Sequence, residues 1–188
     1  MRVVGGRWAG RDLTSPGARV RPTAETVRDG WLTLLGDRVE GARVLDAFAG
    51  SGALGIEAMS RGAASVDFVE DGPGALHALK ANVAALPLKR RARVFKRDAI
   101  PFVERLDAGA YDIALIDPPY GSRKLDRVVR RWLEVPFATV LCVEHERAHS
   151  LPGRGITHRF GEVCVTFYES HGVSARRPAS SPTPVEKP

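Results

Sequence analysis

The stretch Val44-Leu45-Asp46-Ala47-Phe48-Ala49-Gly50-Ser51-Gly52-Ala53-Leu54-Gly55 constrains the fold more than any other part of this chain. A short apolar run enters a glycine-rich turn, and the turn enters residues with helical spacing. Absent side chains let the backbone come close to a ligand, and the start of the following helix offers unpaired N–H groups. Gly50, Gly52 and Gly55 satisfy G-x-G-x-x-G, a pattern that carries weight only where it joins a strand to a helix. Glu70, at the end of the next apolar run, is placed to accept hydrogen bonds from ribose hydroxyls.

Two ligands fit the loop itself: a nicotinamide dinucleotide and S-adenosylmethionine. Asp46, on the strand just before the glycines, favours the second. Its carboxylate would repel a pyrophosphate and hold a cationic amino group, and S-adenosylmethionine offers an ammonium, a ribose and no phosphate.

The rhythm around this loop repeats. Residues 43–47, 65–69, 92–95, 111–116 and 139–143 read as strands, and 53–60, 73–85, 99–106 and 125–133 as the helices between them. Such alternation predicts an α/β fold, a doubly wound and mostly parallel sheet with helices on both faces. The ending differs. Residues 156–160 and 163–168 are β-rich and separated only by Gly161-Glu162, so they must form an antiparallel hairpin. At the start, residues 2–5 and 11–14 pair as a hairpin, and Thr23 caps a helix whose face is Val27, Trp31, Leu34 and Leu35, ended by Gly36. The expected organisation is an N-terminal extension over 1–41, a main domain over 42–171 and a flexible tail over 172–188, where almost nothing apolar remains to bury.

The second chemical signal is Asp117-Pro118-Pro119-Tyr120, at the end of the strand 111–116. Two prolines fix the backbone and remove two N–H donors. What remains are acceptors, the Asp117 carboxylate and the carbonyls around Pro118. Such a site suits an exocyclic NH2, which has two protons to give. Tyr120 adds a flat face for a planar base. Ligands of open α/β sheets bind at the carboxyl ends of the strands, where strand order reverses. A reversal between the first and fourth strands would bring Asp117 beside the glycine loop.

The charge balance points to a polyanion. The net charge is +6 and the pI near 9.8, with 23 arginines against 5 lysines. The arginine excess fits a GC-rich genome, but the placement of the charges is separate information. Basic residues cluster in 1–21, in 89–97 and in 123–131, which reads as a nucleic-acid footprint. Hydrophobic residues at 44% supply a full core. No apolar run reaches the roughly 18 residues needed to cross a bilayer, the N-terminus lacks the apolar stretch of a signal peptide, and two cysteines build no disulfide framework. A cytoplasmic protein without a membrane partner is expected.

Asp46 to Gly52 followed by Asp117-Pro118-Pro119-Tyr120 resembles the class I S-adenosylmethionine-dependent amino-methyltransferases. Residues 1–170 are similar to one branch, the bacterial 16S ribosomal RNA guanine-N2 methyltransferases of the RsmD type. That branch shares Val3-Val4-Gly5-Gly6-Arg7-Trp8-Ala9-Gly10-Arg11, Arg21-Pro22-Thr23, Gly50–Gly55 leading to Glu57-Ala58, Ser60-Arg61-Gly62-Ala63, and 140–145. The resemblance implies a seven-stranded sheet with a reversed last strand. It implies S-adenosylmethionine held by Asp46, Phe48, Gly50, Ser51, Gly52, Glu70, Asp98 and Thr23. Asp98 would meet the adenine amine, although by itself Lys96-Arg97-Asp98-Ala99 reads as a helix cap. Asp117, Pro118, Pro119 and Tyr120 would receive a flipped guanine, and Arg7, Trp8, Arg11, Arg21, Arg90, Arg91, Arg123 and Lys124 would track RNA. The implied partner is 16S rRNA within a small ribosomal subunit or an assembly intermediate, met by a monomer.

Other readings compete. His145-Glu146-Arg147-Ala148-His149 satisfies H-E-x-x-H, but it follows a strand and runs into Leu151-Pro152-Gly153, so no helix is available to present both histidines to zinc and no metal is expected. Cys142 and Cys164 read as small core residues, as does Trp132. An amino-methyltransferase acting on DNA or on a protein glutamine would use the same turn. A nicotinamide dehydrogenase is disfavoured by Asp46 and the Pro-Pro-Tyr turn. A catalytically inactive RNA-binding assembly factor would keep the fold without the chemistry.

Overall fold

The computed structural model describes residues 1–15, 25–121 and 123–170. The expected N-cap Thr23, together with Arg21 and the tail, lies outside the described residues. In chain order the elements are α1 (Glu25–Leu35), β1 (Arg43–Ala47), α2 (Ala53–Ser60), β2 (Ser65–Glu70), α3 (Pro73–Ala84), β3 (Ala92–Lys96) and α4 (Ala99–Glu104). There follow β4 (Tyr111–Ile116), α5 (Lys124–Glu134), β5 (Ala138–Glu146), β6 (Ile156–Phe160) and β7 (Val163–Glu169).

The strands form a seven-stranded sheet ordered β3-β2-β1-β4-β5-β7-β6. β1 to β5 run parallel, and β7 pairs antiparallel with both β5 and β6. The central strands are apolar on both faces because both are covered. On one face Val44, Val66, Phe68, Ile113 and Leu115 pack with Trp31, Leu54 and Leu79 from α1, α2 and α3. On the other, Leu45, Ala47, Ala114, Ile116 and Leu141 pack with Val103, Val128 and Trp132 from α4 and α5. Cys142 and Cys164 are both buried, and burial pushes the Cys142 thiol up to about 12. Among the described residues no helix is long and apolar enough to cross a membrane.

Two elements differ from expectation. β5 reaches Glu146 instead of residue 143, because the antiparallel partner β7 continues the ladder through Glu144↔Val165, His145↔Cys164 and Glu146↔Val163. The N-terminal hairpin contracts to a single bridge, Arg2↔Asp12. A 3-10 turn over Gly6–Trp8 occupies the tip, and the backbone bonds Val3 N–H to Arg11 O and Gly10 N–H to Val3 O close it.

This extension docks on α2. Val3, Trp8 and Leu13 enter the main core. Gly6 has φ +73, and a Cβ there would stand 2.1 Å from the Ser60 carbonyl oxygen, so only glycine fits. The Val4 and Gly5 N–H groups donate to the Glu57 carboxylate at 2.8 and 2.6 Å. Trp8 N–H donates to Ser60 Oγ, which in turn donates to the Gly5 carbonyl.

Candidate functional site

The sheet order turns between β1 and β4, with β2 and β3 on one side and β5 onward on the other. The register Ala47↔Ile116 ends the two strands level with each other. The glycine loop after β1 and the Asp117-Pro118-Pro119-Tyr120 turn after β4 therefore emerge side by side. This is the position at which open α/β sheets bind ligands.

The loop is tightly built. Phe48 holds φ +65, unusual for a residue with a side chain, and such backbone strain concentrates at functional turns. Gly52 has φ +79, and a Cβ on it would meet Leu79 at 2.4 Å, so the turn into α2 needs glycine. Asn82 on α3 holds the loop from outside. Its Nδ2 donates to the Ser51 and Thr14 carbonyls, and its Oδ1 accepts from Thr14 N–H at 2.7 Å. One amide thus fastens the N-terminal extension and the glycine loop together.

Glu70 stands at the end of β2, where expected, and it organises backbone. Its Oε2 accepts from Gly50 N–H at 2.8 Å, and its Oε1 accepts from the Asp71 and Gly72 N–H groups. A carboxylate has about four acceptor positions, so a further bond from a ribose hydroxyl is possible.

Asp46 differs from expectation. Only 2% of it is exposed, and its Oδ2 accepts from Gly55 N–H at 2.9 Å. It fastens the first turn of α2 from below instead of opening into the cleft. Burial, and next the negative charges of Asp117 and Glu70, push its carboxyl well above the usual range. Asp117 and Glu70 thus give the site a negative potential. A sulfonium or ammonium group would relieve it, and a pyrophosphate would aggravate it. By this chemistry the residues present fit S-adenosylmethionine.

The remaining cofactor positions sort as follows. Ser51 is buried, with Met1 Sδ 3.9 Å from its Oγ. Asp98 is the N-cap of α4, its Oδ1 accepting from Ile100 N–H. The cap reading of that residue is what the structure contains.

Asp117 is partly exposed at the mouth of the cleft. Pro118 is buried and Pro119 exposed. Tyr120 Oη donates to Glu144 Oε1 at 2.7 Å. A depression beside the turn is lined by Pro118, Pro119, Tyr120, Leu125 and Glu144, together with His145 and His149. The two histidines lie on β5 and the turn after it, not on a helix. Thr166 Oγ1 is 2.8 Å from His145 Nε2, and Asp126 Oδ1 is 2.7 Å from His149 Nε2.

The expected RNA contacts divide. Trp8 is a correction: at 5% exposure it is core, and an indole needed to fill the gap beneath the extension cannot also stack on a base. Arg7, Arg11, Arg90, Arg91 and Arg123 are exposed. Arg11 Nη1 reaches the Ala85 carbonyl just after α3, which brings the N-terminal cluster beside the turn at Lys89–Arg91. Lys124 leans across the cleft, its Nζ 5.5 Å from the centre of the Phe48 ring. Part of the basic charge is internally compensated, Arg93 by Asp67 and Arg127 by Glu104.

Sequence reasoning missed Glu57, Asn82 and Glu144. A signal existed for the first. Glu57 is the one charge in the otherwise apolar run 53–59, so a fully buried helix there obliges it to find partners.

Comparison with known proteins supplies an independent line. The model of a family described as "Conserved hypothetical protein 95" matches residues 1–169. The chain is 33% identical over 181 residues to "Putative rRNA methyltransferase YlbH" of Bacillus subtilis, covering 93% of this chain and 95% of that protein. It is 34% identical over 158 residues to "Ribosomal RNA small subunit methyltransferase D" of Escherichia coli K12, covering 81% and 78%. Among solved structures, a putative methyltransferase, yhhF, from Escherichia coli superposes with a TM-score of 0.77 at 32% identity, covering 90% of this chain and 97% of that one. A putative methylase from Haemophilus influenzae, HI0767, superposes with a TM-score of 0.75 at 25% identity, covering 89% and 97%.

Proposed function

The chain belongs to the family described as Conserved hypothetical protein 95, that of the RsmD-type methyltransferases, and on that premise we propose that it methylates the N2 amine of a guanine in 16S ribosomal RNA. One observation carries the reading beyond the family: an acceptor-rich turn, Asp117-Pro118-Pro119-Tyr120, follows β4 level with the glycine loop on the adjacent parallel strand. S-adenosylmethionine, when bound, supplies an electrophilic methyl on a sulfonium, whose sulfur leaves as a neutral thioether.

The residues of this chain do the rest by position and charge. The loop from Phe48 to Gly52, backed by Glu70, holds the cofactor in the negative potential of the site. Asp117 and the Pro118 carbonyl accept the two protons of the guanine amine, whose lone pair is otherwise conjugated into the ring. Holding both protons favours a pyramidal nitrogen with its lone pair directed at the methyl group. Tyr120 stacks on the flipped base. Once the N–C bond forms, the cationic nitrogen is strongly acidic and releases one proton to solvent water, leaving the neutral secondary amine. Asp117 acts first as an acceptor, since an ordinary carboxylate is a weak base at neutral pH. Arg7, Arg11, Arg90, Arg91 and Arg123 track phosphate around the cleft. The partner this supports is the small ribosomal subunit or a precursor of it.

The test is methyl transfer from labelled S-adenosylmethionine to undermethylated small subunits, naked 16S rRNA and DNA. Incorporation at guanine N2 in RNA is expected, and incorporation confined to DNA overturns the reading. Asp117→Ala is expected to abolish turnover while leaving cofactor binding largely intact, because the residue's main contact is with the amine.

A further inference from the structure

We infer that Glu144 is a positioning residue that sets the ring of Tyr120 over the target base, an inference that rests on the reading of the Asp117–Tyr120 turn as the base site. A tyrosine after two prolines has a stiff backbone and a ring that can still swing about its own bonds. The swing is stopped at the hydroxyl, which donates to Glu144 Oε1 at 2.7 Å. A charged acceptor makes this bond stronger than a neutral one would.

Glu144 is well suited to act as a fixed post. It lies inside β5, where it pairs with Val165 of β7 directly after the last β4–β5 pair, Ile116↔Val143. Asp117 and Glu144 each follow directly on the pair Ile116↔Val143, at the end of the β4–β5 ladder. It is 4% exposed. A carboxylate is costly to bury unless hydrogen bonds compensate it, and the Tyr120 hydroxyl is one of its compensating partners. The arrangement divides the work between adjacent strand ends. β4 supplies the group that grips the amine, and β5 supplies the group that orients the stacking ring. Supporting contacts of this kind hold a site in its working geometry.

The experiment is a double-mutant cycle on kcat/KM for the acceptor, using Tyr120→Phe, Glu144→Ala and both together, with Glu144→Gln alongside. It is run on whichever acceptor the wild-type protein methylates, so failure of the guanine reading leaves the comparison intact. Cofactor affinity and the melting temperature are measured for every variant. Tyr120→Phe and Glu144→Ala should each lower kcat/KM about tenfold, and the double variant should also fall about tenfold, because both remove one bond. Glu144→Gln, whose amide oxygen still accepts from the hydroxyl, should stay within about threefold of wild type. A double variant near one hundredfold down would show that the two residues act separately and overturn the inference, as would an unchanged Glu144→Ala. If Glu144→Ala does not fold, Glu144→Gln against Tyr120→Phe decides. Activity kept in the first and lost in the second supports the inference, and equal loss in both overturns it.

Discussion

Replacing Glu57 by alanine should cost this protein about 3–5 kcal/mol, the usual loss when one member of a buried charged network is removed. Glu57 is fully buried in α2. It accepts from the Val4 and Gly5 N–H groups at 2.8 and 2.6 Å, and from Arg61 Nε and Nη2 at 3.1 and 2.9 Å. Its charge also supports Arg28, a fully buried guanidinium that burial alone would disfavour. In the alanine variant two amides lose their acceptor, at about 1–3 kcal/mol each. Arg61 keeps Asp29 as an ion-pair partner, and Arg28 loses one of the two anions, Glu57 and Glu25, that support its charge. Partial relaxation of the extension lets water reach some of these groups, which holds the total below the simple sum. For a chain of 188 residues this is a fall in melting temperature of roughly 10 °C. The assay is urea unfolding followed by circular dichroism, with the midpoint expected to fall and the slope to hold. Glu57→Gln keeps one acceptor oxygen and turns an NH2 toward a donor, so it should recover only part of the loss. A loss below about 1 kcal/mol in the alanine variant, or full recovery by glutamine, would refute the claim that this carboxylate fastens the extension.

Three further outcomes follow from the geometry. Asp46→Asn keeps an acceptor for Gly55 N–H and removes a buried charge, so the free protein should melt higher at pH 7 while cofactor binding by calorimetry weakens. Because the folded carboxyl is raised above its ordinary 3.8, its contribution to stability is lost as pH rises through the raised value, and Asp46→Asn should flatten that decline. Trp8→Ala should cost about 3–5 kcal/mol as a core deletion, whereas Arg7→Ala and Arg11→Ala should spare stability and reduce the steepness with which RNA affinity falls with salt. His145 is held neutral by burial, which lowers its pKa from 6.5. Its contribution is complete above 6.5 and lost as pH falls, so His145→Gln should reduce the loss of stability between pH 7 and 5 in thermal unfolding.

Local signals made much of this molecule legible. Apolar runs, the glycine turn and the two-residue link at Gly161-Glu162 each depend on neighbours in the chain, and every strand and helix expected from them in the main sheet is present. The end of β5 was not legible, since residues 144–146 are strand only through pairing with β7. Trp8 looked like a surface aromatic among arginines, and no local property shows that α2 lies above it.

The site divides along the same line. The chain alone determined which residue types are available: glycines that allow close approach, an acceptor-rich proline turn, and acidic residues at two strand ends. Only the tertiary structure decided their roles. Asp46 became a buried fastener because α2 starts directly over it. Glu57 and Asn82 became anchors because residues far away in sequence fold onto α2 and α3. Glu144 became the partner of Tyr120 because β4 and β5 lie side by side with a particular register. Periodicity and turn chemistry act over a few residues and can be read in order. Hydrogen bonds between residues 24 to 68 positions apart exist only once the sheet has set its strand order.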